Sequence, residues 1–439
     1  MRISKINGAV LAASMVLPLS LVGCSGELST SSESGSAASA DQQINLTFRS
    51  WIPSADQWTE LIEGFEKENP NISIDYSRDE DYETFRTGLD NDILAGDVPD
   101  IYGVQVGASF DDYAQYALPV EEYASDWISR VDENSRNQTT TSDGVEAAVP
   151  ILTAGMEYYL YNKTVFDEIG LQLPENYDDL KEVAAAAREK GYSPFAMGAA
   201  DAWHNADFFV WLSNQFGDGG EIYKAASGEI PWDSESIVKA GQAWQNLFVD
   251  GIFQDGAVTT TTYPAARDDF FLARKAIAFP TGSWHVGMAL TATDLEQPGS
   301  AVENDEIGMA AFPSIGENKA TATSGVDIAL AVSNSSDPEK AEAAAKFVEF
   351  MAIGGGQQIW VNWLQGFPVA EGIEIDVADE EPALGKESVR LVTESLAQAK
   401  FPRKLTAPDR PSLENDLGVV LQNIAEGSDP KTELATLNQ

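Results

Sequence analysis

Residues 44–76 read INLTFRSWIPSADQWTELIEGFEKENPNISIDY, and the spacing of their apolar residues changes twice. Apolar and polar residues alternate from Ile44 to Phe48, which is typical of a half-buried strand. The next apolar residues recur at i, i+3, i+4 and i+7 and predict one face of a helix that ends at Asn69-Pro70. These residues are Trp58, Leu61, Ile62 and Phe65. Alternation returns at residues 72–76, so the stretch predicts a strand, a helix and a second strand.

Two later segments repeat the helical signals. Asn176 can cap a helix that runs through Lys190, and Gly191 fits the position just past its end. Asp337-Pro338 predicts the start of another helix. Its buried side carries Ala344, Phe347, Val348 and Met351. Because strands and helices alternate along the chain, we expect an α/β fold with parallel sheets and helices on both faces.

The N-terminus has the pattern of an exported lipoprotein. A short basic region precedes an apolar stretch over residues 9–22, which has the length of a signal-peptide core and is short for a transmembrane helix. Leu21-Val22-Gly23-Cys24 resembles a bacterial lipobox, in which the cysteine is lipidated and becomes the first residue of the mature chain. We therefore expect a signal peptide over residues 1–23 and lipidation of Cys24.

Residues 24–43 continue as a tract of Ser, Gly and Ala that cannot bury enough apolar surface to offset its ordering entropy. We expect a flexible tether that anchors the folded part to the extracytoplasmic face of the cell membrane. Cys24 is the only cysteine, so the rest of the mature chain has no disulfide, thiol nucleophile or thiolate metal site.

The chain is strongly acidic, with 70 Asp and Glu against 27 Lys and Arg and a formal net charge of −43. Such a charge repels phosphate backbones, which argues against a nucleic-acid partner. Two interpretations of the acidity stay open. It either keeps the protein soluble at a crowded cell surface or attracts a cationic ligand.

Signals for catalysis and metal binding are absent from the sequence. His204 and His285 are the only histidines, and no Gly-x-Ser-x-Gly, His-Glu-x-x-His, EF-hand or Walker A string occurs. A pair of carboxylates for glycoside hydrolysis can be imagined in any chain with 70 acidic residues, so it carries no weight. We expect no catalytic residues, no metal and no cofactor.

Four strings, in this order along the chain, carry a family resemblance. They are FEKENPNI at 65–72, LAGDVPDI at 94–101, YLYNKTVF at 159–166 and KAIAFPTGSW at 275–284. Behind a lipobox, they resemble the extracellular solute-binding proteins of ABC importers, in the large family that contains the maltodextrin-binding proteins. The resemblance spans about residues 44 to 370.

The resemblance implies a two-lobe, periplasmic-binding-protein-like fold with a hinge and a ligand cleft between the lobes. Lobe 1 would comprise residues 44–149 plus 313–367, and lobe 2 residues 150–312 plus 368–439. The tail after Glu371 matches no string of the family and is assigned to lobe 2 by its order alone. The implied partners are a small solute and ABC permease subunits with a separate ATPase, because this chain has no Walker A string.

Aromatic residues in predicted loops are the first candidates for the ligand site, because sugar C–H faces stack on Trp and Tyr. Trp51 follows the first strand, where open α/β sheets bind ligands. Trp203 and His204 lie in a run that we predict to be a loop. Trp284 ends the Gly-Ser-Trp string, a position that resembles a cleft aromatic in the family. The alternatives are core packing for the aromatic rings and an ordinary surface position for His204.

Four further residues complete the candidate site. Asp327 opens an apolar strand and either accepts two vicinal hydroxyls or caps a turn. Gln105 lies in the strand after Pro99-Asp100, and Asp207 is a further candidate carboxylate for the ligand. Phe367, near the last crossing between the lobes, either closes the cleft or braces the hinge.

The resemblance and the loop tryptophans together predict a lipoprotein that captures a mono- or oligosaccharide and delivers it to a membrane permease. The alternative is a polyamine or another cationic solute. In that case Asp201, Asp207 or Asp327 would hold the ligand, and salt would weaken binding. A surface adhesin without a transport role is a further alternative.

Overall fold

The computed structural model describes residues 43–438 except 157, 291–299 and 408. The predicted signal peptide, the lipidation of Cys24 and the tether as far as residue 42 lie outside the described residues. Among the residues that are described, no helix has the length and apolar character needed to cross a membrane.

The described strands form a seven-stranded and a four-stranded sheet. The strands are β1 (Ile44–Ser50), β2 (Ile72–Arg78), β3 (Ile101–Val104), β4 (Val149–Met156), β5 (Tyr158–Asn162), β6 (Ser193–Phe195), β7 (Ala276–Thr281), β8 (Ile307–Ala311), β9 (Thr323–Val332), β10 (Phe367–Pro368) and β11 (Phe401–Pro402). The seven-stranded sheet has the order β10-β4-β9-β3-β1-β2, with β11 beside β9. The four-stranded sheet has the order β6-β7-β5-β8.

The prediction for the opening stretch of the chain is confirmed. β1 and β2 pair in parallel, with Ile44 opposite Ile72, and helix α1 (Ala55–Glu68) connects them. Ser54 begins the helix through a capping box with Gln57, which satisfies two backbone N–H groups that the helix leaves free.

The expectation of parallel sheets is wrong at the centre of both sheets. β1 pairs in parallel with β2 and β3, and β6 with β7. However, β9 runs antiparallel to β3 and β4, and β5 runs antiparallel to β7 and β8. The reason lies in the connections. β9 enters the seven-stranded sheet from β8 of the other sheet, so no βαβ crossover fixes its direction.

The remaining α-helices cover the sheets. They are α2 (Tyr82–Ala95), α3 (Phe110–Ala114), α4 (Glu121–Ala124), α5 (Glu133–Gln138), α6 (Lys163–Ile169), α7 (Tyr177–Glu189), α8 (Ala202–Ser213), α9 (Glu221–Ala226), α10 (Glu235–Val249), α11 (Pro338–Ile353), α12 (Gly355–Asn362), α13 (Ala383–Ala397), α14 (Leu413–Ala425) and α15 (Pro430–Ala435). Shorter 3₁₀ segments are Ile128–Arg130, Ala257–Thr259, Ser283–Ala289 and Thr436–Asn438. The segment Thr262–Leu272 has π-helical hydrogen bonding, but the backbone of Tyr263 within it is extended. Asn176 caps α7 and Asp337 caps α11, as the sequence predicts.

Each sheet has its own apolar packing. Leu46 and Ile328 of the seven-stranded sheet pack in one cluster with residues of α1 and α11. Tyr159 and Ile277 of the four-stranded sheet pack in another cluster with residues of α8, α10 and α14. The division into two lobes at the numbers given above stays a prediction.

The chain passes between the sheets more often than the sequence suggests. β4 runs as far as Met156 within the seven-stranded sheet, and β5 then begins at Tyr158 in the four-stranded one. After α13, strand β11 returns to the seven-stranded sheet beside β9. Leu405 already lies in the apolar cluster of α8 and α14. Residues 401–404 therefore form a further connection between the seven-stranded sheet and the apolar cluster of the four-stranded sheet.

Candidate functional site

Three predicted site residues lie at one edge of the seven-stranded sheet. Trp51 and Gln105 directly follow β1 and β3, and both are half-buried. β9 runs antiparallel to β3 with Ala329 opposite Val104, so Asp327 lies just beyond the end of β3. This is the edge at which open α/β sheets bind ligands. Trp51 also packs on Tyr82, with the ring centres 5.0 Å apart.

The predicted loop around Trp203 is wrong, because these residues begin helix α8. The helix is buried on nearly all sides, and its run of large apolar residues from Phe208 to Leu212 accounts for this. Asp201 occupies the position before the helix, and its Oδ2 accepts a hydrogen bond from the backbone N–H of Thr262 at 2.7 Å. Trp203 is therefore held on a rigid element rather than on a loop.

Three half-buried aromatic residues, Trp203, Tyr263 and Trp284, form what we call the aromatic platform. The rings of Trp203 and Tyr263 are nearly parallel, at 14°, with centres 6.2 Å apart. The centre of the Trp284 ring is also 6.2 Å from that of Trp203, and Trp284 Nε1 donates to the Tyr263 hydroxyl at 3.0 Å. Sequence reasoning missed Tyr263. Its only signal was a position outside any apolar stripe, between a run of threonines and Pro264.

Both histidines lie beside the platform and are buried. His204 is 0% exposed, so it is not a surface histidine, and its Nδ1 is 2.9 Å from Thr262 Oγ1. Burial lowers the pKa of His204 to about 4; the Arg403 charge acts in the same direction, and Asp207 acts against it. Burial likewise lowers the pKa of His285 well below its usual range, and its Nδ1 is 2.7 Å from Thr281 Oγ1. Both imidazoles are therefore neutral at physiological pH.

Asp207 and Asp327 are brought together by a residue that sequence reasoning missed, Arg403. Its Nε and Nη2 donate to Asp207 Oδ2 at 3.0 and 2.8 Å, and its Nη1 donates to Asp327 Oδ1. Lys404 Nζ is 2.8 Å from Asp207 Oδ1. The Arg403 guanidinium also lies over Trp284, with Cζ 4.6 Å from the ring centre. No sequence pattern pointed to it, because the tail matched no string of the family.

The charges of this cluster compensate one another. Burial opposes ionisation of Asp207, but Arg403 and Lys404 outweigh it and hold the pKa of that carboxyl below its ordinary value. Glu414, at the start of α14, is 3.9 Å from Lys404 Nζ, and burial raises its pKa. Two cations thus face three carboxyl groups, one of which resists ionisation.

The edge of the seven-stranded sheet approaches α14 at this cluster. Gly107 follows β3, and a Cβ added there would lie 3.0 Å from Glu414 Oε2. Gly107 also has a φ of +134°, which side chains rarely tolerate. The residues after β3 therefore lie beside the start of α14 at this cluster.

Phe367 lies in a different environment from the other candidates. It pairs with Thr153 through β10, is 5% exposed and packs with Val389 and Val392 of α13. It also lines a groove of about 1240 Å³ between β10 and α13, whose lining contains no member of the aromatic platform. Its position fits the interpretation as a brace of the connecting strands.

Aromatic rings and paired charges make up most of the candidate site. Within residues 43–438, outside the gaps noted above, no group of three or more His, Asp or Glu side chains is placed to hold a metal ion. The site presents a partly exposed set of aromatic rings beside buried, neutral imidazoles and buried, paired charges. Aromatic faces with a few polar groups are typical of sites for small neutral molecules.

Comparison with known proteins agrees with this geometry. Residues 51–357 match the family described as bacterial extracellular solute-binding protein. The multiple sugar-binding protein of Streptococcus mutans is 27% identical over 325 residues, which are 72% of this chain and 72% of that protein. The melibiose/raffinose/stachyose-binding protein MelE of Bacillus subtilis is 28% identical over 205 residues, 46% of this chain and 45% of that one.

Solved structures are also similar to this chain in fold. The maltose-bound MalE3 of T. maritima superposes with a TM-score of 0.73, at 18% identity, over 90% of this chain and 98% of that one. At that identity the likeness concerns the fold. The family match itself covers most of the sequence, and the chain belongs to the bacterial extracellular solute-binding proteins.

Proposed function

We propose that this protein captures a neutral mono- or oligosaccharide between its two sheets and delivers it to an ABC permease with a separate ATPase. The observation that carries the proposal is the aromatic platform beside carboxylates that are already paired. Trp203, Tyr263 and Trp284 offer ring surface, whereas Asp207 and Asp327 carry little uncompensated charge. Sugars need ring faces for their C–H groups and hydrogen-bonding groups for their hydroxyls, and they need no net charge.

The paired carboxylates argue against a polyamine or another cationic solute. Such a ligand would have to compete with Arg403 for Asp207 and Asp327, and Arg403 is 2% exposed. Breaking a buried ion pair leaves an uncompensated charge, which costs several kcal/mol. Asp201, the third carboxylate considered, accepts a hydrogen bond from Thr262, and burial raises its pKa. None of these three carboxylates is therefore free to bind a cationic solute.

The relatives support the same class of ligand. One is named as a multiple sugar-binding protein, another as a melibiose/raffinose/stachyose-binding protein, and a protein of the same fold was solved with maltose. We infer from these names that di- and oligosaccharides are the first compounds to test. We do not infer one particular sugar.

Each of the two sheets packs with its own helices, and connecting strands join them. We infer that binding and delivery depend on this arrangement. A ligand that contacts both parts stabilises their closed arrangement, because it binds that arrangement better than the open one. We propose no catalytic step for this chain. Attachment to the extracytoplasmic face of the membrane through a lipid on Cys24 is part of the proposal and is supported by the lipobox-like string at residues 21–24.

The proposal is tested by calorimetric titration of the purified protein with maltose, raffinose, stachyose and spermidine, at about 50 mM and about 500 mM salt. We expect one or more of the saccharides to bind, with a dissociation constant that salt hardly changes. Binding of spermidine that weakens at high salt would replace the saccharide with a cationic solute. Absence of binding by all four compounds would contradict the proposed ligand class.

The anchor has its own test. Cells that express the full-length chain are fed a radiolabelled fatty acid, and the membrane fraction is compared between the wild type and Cys24→Ala. We expect the label and membrane retention in the wild type only. Equal labelling of both proteins would contradict lipidation at Cys24.

A further inference from the structure

We infer that Arg403 is a positioning residue of the ligand cleft, which fixes the Trp284 ring and ties β9 to α8. The inference rests on the proposed function, because it concerns the same cleft. Arg403 lies outside residues 51–357, the part of the chain that matches the family. Its role is therefore read from the contacts that this chain makes.

The main chain of Arg403 is fixed on the seven-stranded sheet. The residue directly follows β11, whose Pro402 lies opposite Ser324 of β9. The backbone N–H of Arg403 donates to the carbonyl oxygen of Ser324 at 3.1 Å. The Cα of Arg403 is thus fixed relative to β9, and the side-chain contacts fix the guanidinium.

The side chain of Arg403 then contacts three other elements. Asp327 is on β9, Asp207 is on α8, and Trp284 follows β7. A planar guanidinium can donate to two carboxylates in its plane while its face covers an aromatic ring. A lysine ammonium has no such plane, so it cannot make all of these contacts at once.

Trp284 depends on Arg403 for one of its restraints. The ring is held at Nε1 by the Tyr263 hydroxyl and lies against Gly282, where an added Cβ would be 1.9 Å from Cζ3. Both of these restraints come from neighbouring segments of the chain. Arg403 supplies the restraint from the side of β9. A shift of β9 relative to α8 would therefore move the guanidinium and, with it, the ring that the ligand contacts.

The first arm of the test observes Trp284 directly. The full-length protein is labelled with 5-fluorotryptophan, and the ¹⁹F resonance of Trp284 is assigned by its loss in Trp284→Phe. We expect Arg403→Lys to shift or broaden that resonance and to leave the resonance of the buried Trp360 unchanged. Arg390→Lys is the matched control, because Arg390 pairs with Glu394 on the exposed face of α13. An unchanged Trp284 resonance in Arg403→Lys would overturn the inference.

The second arm measures affinity for maltose, raffinose and stachyose in a double-mutant cycle. We expect Arg403→Lys to weaken binding about tenfold in the wild-type background and less than about twofold in the Trp284→Phe background. Equal losses in both backgrounds would overturn the inference, because Arg403 would then act independently of Trp284. If the wild type binds none of the three sugars, the proposed ligand class fails while the fluorine arm still decides the role of Arg403.

A second variant covers the case in which Arg403→Lys does not fold. Asp327→Ala removes the acceptor of Arg403 Nη1 and leaves Asp207 as the acceptor of Nε and Nη2. Because the guanidinium then loses its contact with β9, we expect a shift of the Trp284 resonance that is smaller than in Arg403→Lys. A folded Asp327→Ala protein with the wild-type Trp284 resonance would overturn the inference.

Discussion

Arg403 donates hydrogen bonds from Nε and Nη2 to a single oxygen of Asp207, at 3.0 and 2.8 Å, across 196 positions of sequence. The other oxygen of Asp207 is 2.8 Å from Lys404 Nζ. Asp207 is 1% exposed and belongs to α8, whereas Arg403 follows a strand of the seven-stranded sheet. This one carboxylate therefore links two parts of the fold and pairs with two buried cations, Arg403 and Lys404.

Asp207→Asn should strongly destabilise the protein. Removal of one partner from a buried ion pair leaves the other charge uncompensated and typically costs about 3–5 kcal/mol in free energy of unfolding. The measurement is urea denaturation at neutral pH. Asp255→Asn is the control, because Asp255 is fully exposed and lies 3.5 Å from Arg188; its loss should cost less than about 1 kcal/mol. Equal costs for the two variants would contradict the structural role of Asp207.

His204 should make stability fall as the pH falls. Its pKa is lowered to about 4, below the value of 6.5 for a free histidine. Between these two values the unfolded chain binds a proton that the folded chain does not, so the free energy of unfolding decreases towards acid. At pH 5, this difference in proton binding at His204 lowers the free energy of unfolding by about 2 kcal/mol relative to neutral pH.

The pH effect is measured by urea denaturation at several pH values between about 7 and about 5. His204→Gln should lose less stability over this range than the wild type, because the variant lacks the buried imidazole. Asp207 and Arg403, the charged groups that act on His204, are present in both proteins. Identical losses in the two proteins would show that His204 does not titrate as the structure requires.

Gly282→Ala should displace the Trp284 ring. The added Cβ would lie 1.9 Å from Trp284 Cζ3, which is far inside van der Waals contact. We expect a changed near-ultraviolet circular dichroism spectrum and weaker saccharide binding. Gly355→Ala is the control, because its nearest contact is the Phe350 side chain at 3.3 Å. A wild-type spectrum and affinity for Gly282→Ala would mean that Trp284 is not held as described.

Trp203 and Phe367 should separate binding from stability. Trp203→Ala removes part of the aromatic platform, so we expect saccharide affinity to fall at least about tenfold, which corresponds to about 1.4 kcal/mol. Phe367→Leu alters a packed side chain, so we expect a loss of about 1 kcal/mol in free energy of unfolding with unchanged affinity. Calorimetry and urea denaturation measure the two effects. If Phe367→Leu lowered the affinity and Trp203→Ala did not, the saccharide site would lie in the groove beside β10 and not at the aromatic platform.

The elements that sequence predicts well are those whose signals are local. The strand from Ile44, the helix after Ser54 and the caps at Asn176 and Asp337 each depend on residues within one or two turns. Periodicity and capping report such short-range interactions directly. The direction of β9 is not local, because it depends on where the preceding strand lies, and the expectation of parallel sheets fails there.

The candidate site shows the same limit. Sequence reasoning singled out Trp203, Trp284, Asp207 and Asp327 by residue type and setting. The structure places the last three against one arginine and Trp203 beside Trp284. Sequence reasoning did not single out Arg403, whose importance comes from partners 76 and 196 residues away. It also took the residues at 201–205 for a loop, because their polar and aromatic composition hid a helix that is buried by its later residues.

A crystal structure of the protein with bound saccharide tests the central claim most directly. Crystals grown with maltose, raffinose or stachyose should show the sugar within about 4 Å of the rings of Trp203 and Trp284, with Arg403 still paired to Asp207 and Asp327. A sugar bound instead in the groove beside Phe367, or an Arg403 that has left both carboxylates to hold the ligand, would contradict the account.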